Sequence, residues 1–469
     1  MSRSTLIKTH LVLFIVVASL QNTIAQKVNQ FSVKQAVEYA LNNAVDIKNA
    51  LLDIKIQKQS NNEITAIALP QINGSVSGIH YFDIPVTTLP DFISPSVYKV
   101  LVDNGVVNGS GNPITNPANG FSSIPAKFGT PWNASGSIDV SQILFDGQVF
   151  VGLKARNTVL NLAKQSAEVT KEQIKATVYK IYYQLVVSKK QASSIDANIE
   201  RFEKLFADTK EIYKNGFAEK LDVDKVEVQL NNLKTEKEKI SNQLEIGNAA
   251  LKFLINIPQK DILLLTDSLQ DEEIKSVTLN DSLYFNNRKE YQQINTAIKL
   301  SRYNVKRYQL SKIPTIAAFG TYSKNAQRNE FNFFDKGSWF STSLVGVKLS
   351  VPLFDGNVRN ARINKAQYEL EKTKNTKNRL EQAIQLEVSD AKLKFSSAIT
   401  TYENQQKNMD LAERVYAATK LKYEQGLGSN MEIYNAQTEL KVAQNNYYGA
   451  LYDAIIAKVD YLKSIGKLP

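Results

Sequence analysis

The sequence predicts a mainly α protein with a membrane β-barrel part. It reads as two tandem structural repeats, each two β-strands plus a long coiled-coil helical hairpin. Three observations carry that reading: a motif that returns at a fixed distance, long proline-free stretches with heptad periodicity, and four short segments that alternate with period two.

The string SQILFDG at 141–147 recurs as SVPLFDG at 350–356, so Phe145 and Phe354 are 209 residues apart. Tyr213-Lys-Asn-Gly216 returns as Tyr423-Glu-Gln-Gly426 at a spacing of 210. A near-constant offset over so long a stretch marks a duplicated unit, and each copy must bury its apolar face against another copy or another chain.

Proline placement draws the map. Seven of the 12 prolines fall between Pro85 and Pro131, whereas 132–257, 259–313 and 353–468 contain none. Proline breaks helix interiors, so long helices belong in the bare stretches, and 83–131, rich in Gly, Asn and Ser, is expected to be an irregular exposed loop. From Ile174 through Val178, Leu185, Ile195 and Phe202 to Tyr213, apolar positions step by four and three. Ile384 through Ala391, Phe395, Tyr402 and Met409 to Tyr423 does the same. A seam averaging 3.5 residues predicts left-handed coiled-coil packing. Returning seams through Val226, Leu230 and Leu233, and through Ile433, Ala436 and Leu440, complete hairpins over 147–256 and 357–465. They turn near 214–220 and 424–430. At about 1.5 Å per residue the first long helix measures roughly 100 Å.

Strands are expected at about 70–82, 132–146, 314–323 and 339–354. Trp132, Ala134, Gly136, Ile138 and Val140 share one face, and Asn133, Ser135, Ser137, Asp139 and Ser141 the other. Apolar on one side and small-polar on the other suits a wall between lipid and water. A soluble sheet with one wet face has the same alternation. Aromatics at the loop-proximal ends (Tyr81, Phe82, Phe128, Trp132, Tyr322, Phe331, Trp339 and Phe340 among them) favour the membrane wall. Four strands cannot close a barrel around a channel, so self-association follows.

Composition limits the chemistry. Residues 1–25, with Arg3 and Lys8 before an apolar run and Thr23-Ile24-Ala25 at its end, read as a signal peptide. There is no cysteine, and the histidines are His10, inside that segment, and His80. Neither a Ser-His-Asp triad nor a thiolate or histidine metal site can be built from this inventory. No enzyme, no metal and no cofactor are therefore expected. The net charge of +11 is interleaved along helices and not gathered into a basic block, which speaks against nucleic acid. The alternative is a structural coiled-coil protein, a periplasmic spacer or surface fibre, which leaves the paired strands unexplained.

Duplicated halves, each a strand pair followed by a very long hairpin entered through LFDG, resemble the TolC-like outer membrane efflux proteins. The similarity runs from Phe31 to about Leu468. It implies a homotrimer whose 12-stranded barrel sits in the cell outer membrane above a periplasmic α-helical tunnel. It also implies a periplasmic adaptor and an inner-membrane transporter as partners. The chain would then divide into a signal at 1–25, a first repeat at 26–256, an equatorial linker at 257–285 containing Asp271-Glu-Glu273, and a second repeat at 286–469. Function would be that of an exit duct for efflux or type I secretion, with drug, metal-cation and protein cargo all compatible with the charge balance.

The resemblance also nominates site residues. The family's Gly-Leu-small-small turn, which docks the adaptor, is matched by Gly426-Leu427-Gly428-Ser429 and less faithfully by Gly216-Phe217-Ala218. Its constriction is matched by Asp222 and Glu432, six residues beyond each turn glycine, and by the linking Tyr423. Gly428 stands where the family links through arginine, and Asn435 where it has a second acid. That implies a weaker cation trap and a looser gate. From the residues alone, Gly216 and Gly426 are helix C-caps, and Glu432 is an acid in a helix's first turn.

Overall fold

The computed structural model describes residues 27–117, 123–267 and 284–469. The signal segment 1–25 and Asp271–Glu273 lie outside the described residues. The described chain divides into two compact units. One comprises residues up to Ser60, Ala155–Asn304 and Lys365–Pro469; the other comprises Asn61–Lys154 and Val305–Asn364.

The first unit is helical. Strand β1 (Val28–Phe31) leads into α1 (Val33–Asn43) and α2 (Val45–Ile67). The Ser32 hydroxyl accepts from Gln35 N, and the Gln35 side chain accepts from Ser32 N, a capping box that starts α1. Two helices of nearly equal length follow at corresponding places, α4 (Gly147–Lys214, 68 residues) and α7 (Val358–Glu424, 67 residues). Each is answered by a shorter one, α5 (Lys220–Ile255, 36 residues) and α8 (Asn430–Ser464, 35 residues). Helices α1 and α2, and α6 (Lys289–Leu310), had no counterpart in the sequence reading.

Packing explains why these helices stay together. Val33, Ala36, Val37 and Ala40 of α1 bury against Val178, Tyr182 and Leu185 of α4 and Leu251 and Ile255 of α5. Strand β6 (Ile262–Leu265) pairs parallel with β1, closing the linker region onto the N-terminus. Fully buried Tyr182 donates to Phe31 O at 2.8 Å and accepts from Asp267 N at 3.2 Å, so its hydroxyl is satisfied. At the end of α8, buried Arg288 donates to Ser464 O (2.9 Å), Glu387 Oε2 (3.0 Å) and Glu290 Oε2 (3.2 Å), fastening three helices at one point.

The second unit holds a four-stranded antiparallel sheet in the order β2 (Gln71–His80), β5 (Trp132–Phe145), β7 (Thr315–Arg328), β8 (Phe340–Ser350). Strand β7 runs to Arg328, past the expected end at 323. Its last residues are polar or small and show no apolar alternation, yet they pair with β5 as far as Trp132↔Arg328. Strand β8 stops at Ser350, short of 354, because Pro352 has no N–H to give the ladder.

The segment 83–131 is not wholly irregular as expected. Strands β3 (Val86–Leu89) and β4 (Ile124–Lys127) pair antiparallel, and α3 (Ile93–Asp103) lies between them. Pro95 stands in the first turn of α3, where its missing N–H costs no helical bond. Asp91 Oδ1 accepts from Ile93 N and Ser94 N, starting the turn.

Candidate functional site

Two places concentrate functional chemistry: the turns of the long hairpins and the faces of the four-stranded sheet. Both turns are built alike. Gly216 and Gly426 take φ of +81° and +73°, which an L side chain resists. Phe217 N donates to Ile212 O, and Leu427 N to Lys422 O, each at 3.0 Å; these six-residue closures finish α4 and α7. They leave Phe217 86% and Leu427 71% exposed at the two tips. The turn residues nominated by the sequence therefore come together, three and four to a tip.

The side chains around the tips differ. Beyond the first turn, Asp222 Oδ2 accepts from Glu219 N at 3.4 Å, so two acids share the start of α5. Beyond the second, Ser429 caps α8 by accepting from Glu432 N at 3.1 Å, and the Glu432 carboxylate pairs with Lys422 Nζ at 2.8 Å. Tyr423 donates to Asn430 Oδ1 at 2.8 Å, inside its own hairpin. Burial raises the Tyr423 pKa, and the Asp208 charge adds to it, so the hydroxyl stays protonated. Asn435 is exposed on α8. A Cβ at Gly428 would come within 3.2 Å of Tyr423 N, so this position is tightly held.

Lys422 and Asn430 were not found from the sequence. Lys422 lies ten residues from Glu432, on the other side of a turn whose geometry alone makes them neighbours. The one available signal was opposite charges flanking a hairpin glycine.

The sheet sorts its side chains by face. On one, Ser75 and Ser137 hydroxyls meet at 2.9 Å and those of Ser77 and Ser135 at 2.7 Å, while Asp139 accepts from Ser137 and Thr321. On the other stand Ile72, Val76, Ile138, Val140, Val345 and Val347; Val76 is 91% and Val345 90% exposed. Close packing across strands holds both faces: on the apolar one the Val345 side chain lies over Gly320, and on the other the Phe319 ring lies over Gly346. So large an exposed apolar surface on a sheet needs a cover. Among the described residues no group of His, Asp or Glu could hold a metal ion, and no helix is long and apolar enough to cross a membrane.

Solved structures share this architecture. CusC matches with a TM-score of 0.71 at 15% identity, covering 92% of each chain. The outer membrane channel CmeC of Campylobacter jejuni matches at 0.70 and 16%, covering 93% of this chain and 85% of its own. The fold is thus that of an outer membrane channel with long helical hairpins. By sequence, residues 282–467 match the outer membrane efflux protein family. The alkaline protease secretion protein AprF of Pseudomonas aeruginosa is 21% identical over 333 residues, 68% of this chain and 67% of its own length. Over residues 282–467 the chain is thus similar in sequence to the outer membrane efflux proteins, and over nearly its whole length it shares the fold of such channels.

Proposed function

We propose that the chain acts as a homotrimer whose three sheets close a 12-stranded barrel and whose hairpins form a periplasmic tunnel. The trimer would be a passive exit duct coupled to an adaptor and an inner-membrane transporter. The observation that carries this reading is the open sheet. It has an apolar wall on one face, a hydroxyl-lined wall on the other, and two edge strands, β2 and β8, without partners among the described residues. Unpaired backbone groups are not tolerated in hydrocarbon, so only closure with further copies makes such a sheet a membrane element.

A groove on the second hairpin supports association with a further copy. Leu411 and Val415 of α7 and Val442 of α8 line it uncovered, a surface suited to a neighbouring copy. Within the duct, the tips Gly216-Phe217-Ala218 and Gly426-Leu427-Gly428-Ser429 would dock the adaptor through exposed Phe217 and Leu427. Asp222, Glu432, Tyr423 and Asn435 would ring the periplasmic constriction. Because Lys422 offsets Glu432, that ring would carry little net charge from the second hairpin, and selectivity would lie in the transporter. Purified protein in planar bilayers tests the duct: stable single-channel conductance is expected, and a membrane-extracted protein that never conducts would refute it.

A further inference from the structure

On the apolar face of the sheet, the loop-proximal end departs from the rest of the wall. Cross-strand partners share a face, so His80↔Trp132 and Trp132↔Arg328 place three side chains in one row across β2, β5 and β7. The His80 and Trp132 rings stack with centroids 4.0 Å apart, and the Phe331 ring meets Trp132 edge-on at 5.0 Å. Arg328 Nη2 is buried against Gly337 without a hydrogen-bond partner, while Nη1 reaches Gln327 O at 3.5 Å. Lys324 lies on the same face, four residues down β7 and about 13 Å away along the strand. Neither cation is in an ion pair among the described residues.

Charge distribution decides what would fit. Of the positions on this face of β2, β5, β7 and β8, only Lys324 and Arg328 carry full charge, and there is no carboxylate. A lone cation against hydrocarbon is costly, and an unsatisfied guanidinium donor adds to that cost. Two cations at the aromatic end of an apolar wall match an amphiphile with acyl chains below and phosphates above. Guanidinium binds phosphate through paired donors, and the lysine stem can lie along the wall with its ammonium raised.

We infer that this row is a binding site for a phosphorylated glycolipid of the outer leaflet, with Arg328 and Lys324 holding phosphates and Trp132 flanking them. The inference rests on the barrel reading above, which makes the apolar face the lipid-facing one.

Both tryptophans of the chain, Trp132 and Trp339, stand at this end of the sheet, so a Trp339→Phe background lets emission report Trp132 alone. Bis-phosphorylated lipid A would be titrated into the detergent-solubilised protein. Inorganic phosphate and phosphatidylcholine serve as the other arms. Saturable change with lipid A is expected. Its midpoint should weaken about tenfold in Arg328→Gln, as loss of one charge-assisted contact implies, and about fivefold in Lys324→Gln. An unchanged midpoint in both variants, or equal response to inorganic phosphate or phosphatidylcholine, would overturn the site. Conductance and size-exclusion of the same preparations separate the two ideas: a conducting trimer blind to lipid A refutes the lipid site alone, and a protein that never conducts refutes the barrel reading.

Discussion

The two hairpins have almost the same length and the same turn, yet one is finished within the chain and the other is not. Near the first tip, Phe202 and Leu205 of α4, Val226, Leu230 and Leu233 of α5 and Ile433 of α8 form a buried cluster. Polar contacts lock its register: Asn198 and Ser194 both donate to Gln444 Oε1, at 2.9 and 3.0 Å, and Asn445 donates to Glu236 at 2.8 Å. Along α7 the buried seam ends at Tyr402. Beyond it Met409, Ala412, Tyr416 and Tyr423 are only half covered, and Leu411 is 52% exposed. Equal apolar periodicity with unequal burial leaves the second seam half covered, as the proposed assembly of copies requires. The comparison thus points from sequence pattern, through packing, to assembly.

The largest effect should come from breaking that asymmetry. Leu411→Asp together with Val442→Asp is expected to abolish the trimer on size-exclusion while leaving the helical circular dichroism of the protomer. Leu233→Ala, in the finished hairpin, should instead destabilise the protomer by about 2–5 kcal/mol, read as a shift of the denaturant midpoint. Equal effects of the two changes on protomer stability would remove the distinction.

Next in size is the buried clamp at the end of α8. Arg288→Ala leaves its two carboxylates without their shared partner and should cost about 3–5 kcal/mol. It should also change the acid limb of stability. Burial pushes the Glu290 carboxyl up, but the Arg288 hydrogen bond and charge outweigh it and hold the group below its ordinary value. A depressed folded pKa stabilises above the unfolded value of about 4.3, and that gain is lost as pH falls through the folded value. Unfolding followed from pH 6 to pH 3 should therefore show a steeper loss in the wild type than in Arg288→Ala.

A smaller, signed effect separates the tips. Lys422→Gln frees the Glu432 carboxylate and should raise cation over anion permeability in planar bilayers, whereas Glu432→Gln frees Lys422 and should lower it. Asp222, which is in no ion pair among the described residues, should on change to Asn act in the same direction as Glu432→Gln. Selectivity unmoved by all three would take these residues out of the constriction. Smallest of all, Gly216→Ala and Gly426→Ala should each cost about 1–2 kcal/mol, the strain of a left-handed residue with a Cβ, measured by thermal unfolding.

Much of this architecture was legible because it is repetitive. LFDG stands at the start of each long helix, but the two copies fold differently. Asp146 Oδ1 accepts directly from Gln148 N at 2.7 Å, and α4 begins at Gly147. At the second copy Gly356 and Asn357 turn left-handed, φ +62° and +71°, before α7 begins at Val358. The turn glycines were readable because only glycine takes their conformation without cost. Helix α2 was not, since its mixed sequence over Val45–Ile67 shows little apolar stripe, and α3 was masked by the proline in its first turn. The Lys422–Glu432 pair was invisible for another reason: its partners meet only after the chain reverses, and no periodicity encodes that meeting.

The central claim, that copies of this sheet close edge to edge, has a direct test because the chain has no cysteine of its own. One cysteine placed on β2 and one on β8 lie on opposite edges of the same sheet, so they can bond only between copies. Oxidation in the membrane should yield a covalent ladder that stops at three chains. A protein that stays monomeric at every pair of edge positions, or a ladder that continues past three, would contradict it.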